Sequence, residues 1–170
     1  MKKLFQSLLP VLMVPIFLVA CGESDEGKEL RNYHNDFMDY TQERMDEINI
    51  IAQEASTATS VEEMYEIQGE DLPVLAGEML EYVESQEPET EAVQEYHELR
   101  KKQIEKWNEA ITVELDALEQ LVNGEISEDE ATEISMEAQG LFGEFEQLTQ
   151  EADEKLQELA EEYNIELEES

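Results

Sequence analysis

Leu121-Val122-Asn123-Gly124-Glu125-Ile126-Ser127-Glu128-Asp129-Glu130 decides the architecture of this chain. Asn123-Gly124 is the left-handed stop that helix C-termini favour, because glycine adopts positive φ without a steric cost. Ser127 with Glu130 forms a Ser-x-x-Glu capping box, and Glu128, Asp129 and Glu130 place negative charge at the positive end of the next helix dipole. One helix therefore ends and another begins within a few residues. Two long helices joined so tightly must lie antiparallel and side by side.

Reading outward from this turn, apolar residues recur at threes and fours on both sides, the spacing of a helix with one buried stripe. Upstream, Val93, Tyr96, Leu99, Ile104, Trp107, Ile111, Leu115, Leu118, Leu121 and Val122 define a helix over 89–122. Downstream, Ile134, Ala138, Leu141, Phe145, Leu148, Ala152, Leu156, Leu159 and Tyr163 define its partner. Equal counting from the turn sets Trp107 opposite Gly143, with Gly140 one turn away. The expectation is that the indole packs over the backbone these glycines expose, with a hinge at the glycines as the competing reading.

An earlier helix is expected over 29–57, its stripe made by Leu30, Tyr33, Phe37, Tyr40, Met45, Ile48, Ile51, Ala52 and Ala55. Tyr33, Phe37 and Tyr40 share that stripe with aliphatic residues and so belong to the core. Ser60 and Glu63 open a second helix, carried on by Met64, Ile67, Leu72, Leu75, Met79 and Val83. Gly69 and Pro73 predict a kink or break between Ile67 and Leu75, since proline removes a donor and clashes with the preceding turn. Pro88 ends this part. Nothing alternates with period two, so the fold class is all-α: an up-and-down antiparallel bundle of about four helices, the third and fourth long.

The amino end has a different character. Met1-Lys2-Lys3 is a short basic region, and Leu4 to Leu18 is apolar apart from Gln6 and Ser7. Pro10 and Pro15 interrupt a stretch already short of the ~20 residues a membrane span needs. This is the layout of a secretory signal. Cys21, the chain's one cysteine, directly follows Leu18-Val19-Ala20. The run resembles the lipobox of bacterial lipoproteins. That resemblance implies a signal peptide over 1–20, cleavage between Ala20 and Cys21, and a diacylglyceryl group on the Cys21 sulfur. Residues 21–28, polar and holding two glycines, then read as a lipidated terminus and flexible tether before an acidic domain over 29–170. In general form the chain resembles small helical lipoproteins of Gram-positive bacteria.

Charge narrows the partners. The sequence has 45 acidic residues against 10 basic, a formal charge of −35. Without Lys2 and Lys3 the balance is 8 basic against 45 acidic, or −37. Nucleic acid is excluded as a partner, because phosphate recognition needs clustered Lys and Arg. Electrostatic adhesion to an anionic bilayer is excluded for the same reason, so an acyl anchor must carry attachment. Apolar content is ample and patterned, which makes the acidity a solvated exterior suited to saline or alkaline surroundings. Weak, nonspecific association with divalent cations is expected of such a surface.

Catalytic signatures are missing from the sequence. The residues three before His34 and His97 are Arg31 and Gln94, so the Glu-x-x-His pairs of di-metal bundles do not occur. There is no phosphate loop, nucleophile elbow or calcium loop. His34 and His97 are expected as partly exposed helix-face residues rather than metal ligands. Arg100, Lys101, Lys102 and Lys106 are a local basic cluster: a patch for a protein partner, or partners in intrahelical pairs such as Lys101 with Glu105. The expectation is a noncatalytic protein with no cofactor, lipid-anchored on the extracytoplasmic face of the cell membrane, in an interaction or accessory role. The alternative is a lipoprotein that binds cations or a small ligand at the bundle centre.

Overall fold

The structure, a computed structural model, describes residues 24–167. The expected signal segment, Ala20, Cys21 and residues 22 and 23 lie outside the described residues. Among the described residues five helices follow one another: α1 (Asp25–Ala55), α2 (Val61–Gln68), α3 (Asp71–Glu84), α4 (Glu91–Val122) and α5 (Glu128–Tyr163). α2 and α3 together fill the place of the expected second helix, so the body is an up-and-down four-helix bundle. Among the described residues, no helix is long and apolar enough to cross a membrane.

Local chemistry explains each boundary. Ser24 accepts from the Gly27 N–H at 3.0 Å and starts α1, with Asp25 and Glu26 at its positive end. The helix therefore begins before the expected Glu29, and Asp25 to Lys28 belong to α1 rather than to a flexible tether. Gly27 is buried there, so this segment is part of the packed body. α2 ends at Gly69 and α3 begins at Asp71, within the expected interruption. Pro73 falls in the first turn of α3, where its missing N–H leaves no helical bond unmade. The break thus comes at Gly69-Glu70, and the proline is accommodated just beyond it. α4 has no side-chain cap of its own. Instead the Glu29 carboxylate on α1 accepts from the Glu89 and Thr90 backbone N–H groups, capping α4 from a neighbouring helix.

The deciding turn forms as its residues dictate. Gly124 has φ +70°, the Gly124 N–H donates to Leu121 O at 3.0 Å, and the Glu125 N–H donates to Gln120 O at 2.8 Å. These are the two bonds of a Schellman stop. Ser127 and Glu130 make both bonds of the capping box. Asn164, at φ 51°, ends α5 in the same way.

α4 is the hub, packing against each of the other helices, whereas α5 touches only α4 and α1. The core joins Leu30, Phe37 and Ile48 of α1, Leu75, Met79 and Val83 of α3, Val93, Tyr96, Ile104 and Trp107 of α4, and Leu156 and Leu159 of α5. Because α2 and α3 do not reach α5, its middle is thinly covered: Leu141, Phe142, Phe145 and Leu148 stay half-buried. Tyr33 and Phe37 are core residues as expected, but Tyr40 is half-buried at the α1–α3 seam. There it stacks on Tyr82 at 3.8 Å under the Arg44 guanidinium.

The glycine contact is a correction. Gly140 and Gly143 are exposed, and a Cβ added at either would meet nothing within 4 Å. Trp107 turns the other way, toward α1 and α3, beside Ile48, Leu72 and Met79. The counting was sound, since Lys106 pairs with Glu144 at 3.3 Å across the hairpin. Distance from a turn sets register along the helices, but it leaves open which face each residue occupies.

Candidate functional site

Two Tyr-His dipeptides meet where α1 and α4 pack, within about two turns of the ends at which both helices begin. Tyr33-His34 lies on α1 and Tyr96-His97 on α4, and they pair crosswise. Tyr33 Oη is 2.9 Å from His97 Nδ1, and Tyr96 Oη is 3.0 Å from His34 Nδ1. The Tyr33 and Tyr96 rings meet edge to face at 5.7 Å. His97 is buried, which corrects the expectation of a partly exposed position; His34 is half-buried.

Arg100, one turn beyond Tyr96 on α4, is only 3% exposed. Its Nε–H donates to Tyr96 Oη at 2.8 Å, Nη1 to Gln103 Oε1 at 3.0 Å and Nη2 to Asp153 Oδ1 of α5 at 2.7 Å. Its guanidinium also lies about 5 Å from the ring centres of Phe37 and Tyr96, where ring quadrupoles favour a cation. Gln103 Nε2 donates to Thr149 Oγ1 at 2.8 Å, and Thr149 donates to Phe145 O. The network thus ties α1, α4 and α5 together through one buried cation.

Its protonation pattern follows from satisfying each donor. Tyr96 Oη accepts from Arg100, so its own proton goes to His34 Nδ1, leaving His34 neutral with its proton on Nε2. Burial holds the His34 pKa below the ordinary histidine value. The Arg100 charge adds to this, and Asp153 opposes it. Burial also lowers His97, with Glu98 working against it and Lys101 with it. Both phenols move up, Tyr33 and Tyr96 alike, mainly because burial disfavours phenolate.

Beside the network lies a cavity of about 240 Å³. Phe37, Met38, Thr41 and Met45 of α1, Met79 of α3, Arg100, Gln103, Ile104 and Trp107 of α4, and Phe145, Thr149 and Asp153 of α5 line it. Trp107 also borders a second hollow of about 180 Å³ with Ile48, Gln68, Leu72 and Glu114. Burial alone raises the Glu114 pKa there. A wider concavity, about 660 Å³, is a shallow depression at the end of α5 around Gln157, Asn164 and Ile165. Among the described residues it holds no buried polar group.

The basic cluster does not form one surface. Arg100 points into the core, Lys101 reaches Glu105 at 4.0 Å, Lys102 is exposed, and Lys106 pairs with Glu109 and Glu144. Helical geometry separates them, since successive residues turn by 100°. Among the described residues, no three His, Cys, Asp or Glu side chains are gathered closely enough to hold a metal ion.

Sequence reasoning missed the crossed Tyr-His pairs, Gln103, Thr149 and Asp153. The repeated Tyr-His dipeptide, carrying both histidines of the chain, was the one available signal. The chain has no match among protein-family models, curated proteins or solved structures.

Proposed function

We propose that this chain is a lipid-anchored, noncatalytic protein of the extracytoplasmic face of the cell membrane, with an interaction or accessory role played by its helical body. The observation that carries this reading is how closely the fold follows Cys21. Only Gly22, Glu23 and Ser24 separate that cysteine from Asp25, the first residue of α1. Four residue steps reach at most about 14 Å. A thioether at Cys21 would hold this end of the bundle near the bilayer. The α4–α5 turn would stand at the far end, about 54 Å away along the 36 residues of α5.

The end of the bundle nearest Cys21 supports the same picture. α1 starts there, the α3–α4 connection packs on Glu29, and α5 finishes at Tyr163, whose phenol is near Glu26 and Glu95. Asp25, Glu26, Glu89, Glu91, Glu161 and Glu162 make this end strongly acidic. It gains nothing from an anionic leaflet, so attachment rests on acyl chains and the long faces of the bundle stay free for a partner.

Labelled palmitate fed to the host should enter the wild-type protein but not Cys21→Ala, and the variant should leave the membrane fraction. Intact mass showing a free thiol at residue 21, or a retained leader, would overturn the anchor. Crosslinking of native membranes followed by mass spectrometry then tests the interaction role. Recovery of the protein crosslinked to no other protein would count against it.

A further inference from the structure

We propose that the cavity between α1, α3, α4 and α5 is a binding site for a small, uncharged aromatic molecule bearing one hydrogen-bond acceptor, with the acceptor on Arg100 and the ring against Trp107. This site does not depend on the lipid anchor.

Its size comes first. The cavity measures about 240 Å³. A cavity of ~150 Å³ holds benzene, so there is room here for roughly ten non-hydrogen atoms. Its walls are soft and aromatic: Met38, Met45 and Met79 face Phe37, Trp107 and Phe145 around the space. Thioethers and ring edges suit an aromatic guest better than a saturated one. Met38, Met45, Phe145, Thr149 and Asp153 are all partly exposed, so the cavity opens between α1 and α5, where α5 is thinly covered.

Arg100 supplies the polar contact. A guanidinium has five N–H donors, and three are spent on Tyr96, Gln103 and Asp153. The other two have no protein acceptor among the described residues, although the side chain is almost wholly buried. An acceptor in the cavity would satisfy them.

Charge then selects the ligand. Asp153 already balances Arg100 at 2.7 Å. A second carboxylate would have to lose its hydration beside Asp153, on a chain of formal charge −35. An organic cation would meet the guanidinium itself. A neutral carbonyl takes the two donors and adds no buried charge.

Trp107 is the chain's one tryptophan, so its fluorescence reports the cavity directly. Full-length protein in phosphatidylcholine vesicles would be titrated with 4-phenylbutan-2-one, with butylbenzene, which lacks the acceptor, and with 3-phenylpropionate. The ketone should change Trp107 emission saturably, about tenfold more tightly than butylbenzene, the worth of one hydrogen bond to a charged donor. The carboxylate should bind more weakly than the ketone. Arg100→Met should erase the ketone's advantage. Thr41→Leu is the second variant, because the Thr41 hydroxyl bonds only to Phe37 O and Met38 O of its own helix. It should push a longer apolar branch into the space the ring would occupy, weaken saturable binding severalfold and leave the Arg100 network intact. A non-saturable response, or the same response in Thr41→Leu, would mean partition into lipid and overturn the site. Tighter binding of the carboxylate would overturn the assignment of a neutral ligand.

Discussion

Replacing Gly140 and Gly143 with alanine tests the packing of α5. Both lie in the interior of a 36-residue helix. There, glycine loses more backbone entropy on folding than alanine, a penalty of about 1 kcal/mol per site. The new methyl groups would project into open space, with nothing within 4 Å at either position. No steric term subtracts from the gain. The two sites are neighbours on one face of α5, but each gain comes from backbone entropy and not from a contact, so the double variant should gain about 2 kcal/mol. In a domain of this size each kcal/mol moves the melting midpoint by about 2–4 °C, so a rise of about 4–8 °C is expected. Gly69→Ala is the internal contrast: its Cβ would sit 2.8 Å from Tyr65 O and 3.0 Å from the Tyr65 ring. It should lower the midpoint, as should Gly124→Ala at φ +70°. The assay is thermal unfolding followed by circular dichroism at 222 nm. A Gly140→Ala/Gly143→Ala variant no more stable than wild type would refute the reasoning. It would mean that these positions bend, or that they touch something when the protein is at work.

Four further outcomes follow from the same structure. Asp153→Asn should cost about 2 kcal/mol in urea unfolding. That lies between a surface pair and a buried one, because Arg100 is buried while the Asp153 side chain is 53% exposed. Adding Arg100→Met should recover part of the loss. His34 and His97 have lowered folded pKa values, so the unfolded chain binds their protons first and stability should fall as pH drops through 6.5. His97→Gln should flatten that decline in a urea series from pH 7.5 to 5.5. Glu114 has a raised folded pKa from burial, so its ionisation opposes folding once pH exceeds the ordinary carboxylate range. Glu114→Gln should raise the urea midpoint at pH 7 and leave it unchanged at pH 4. Molar sodium chloride should raise the melting midpoint by screening the acidic exterior, and no change between low and molar salt would remove the saline-habitat reading.

Helix ends and helix number were legible because they are local. Ser24, Ser60 and Ser127 act on backbone groups three residues away, and Gly124 and Asn164 act on their own φ. Ser24 was the exception: the two nearby glycines and the acidic run masked its cap, so the α1 start was set too late. The register of the α4–α5 hairpin was legible too, because a short turn leaves two antiparallel helices little freedom to slide.

The candidate site was not legible in this way. Arg100 sits in a run with Lys101 and Lys102 that reads as surface charge, and only rotation about the α4 axis distinguishes it from them. Its partners Tyr96, Gln103 and Asp153 come from α4 and α5, and the cavity beside them is lined from four helices. No spacing within one segment encodes that meeting. Trp107 shows the same limit, since its level along α4 followed from the turn while its facing did not.

By itself the sequence determined the all-α class, the helix boundaries and antiparallel pairing about Gly124, and the acidic exterior. These depend on caps, periodicity and composition, which act over a few residues or over the whole chain at once. Tertiary structure alone decided that Arg100 turns inward, that the two Tyr-His dipeptides cross, and that Gly140 and Gly143 face solvent. Each of those outcomes depends on how a helix is rotated against its neighbours. That rotation is set by the summed packing of all the helices, so no single stretch of chain contains it.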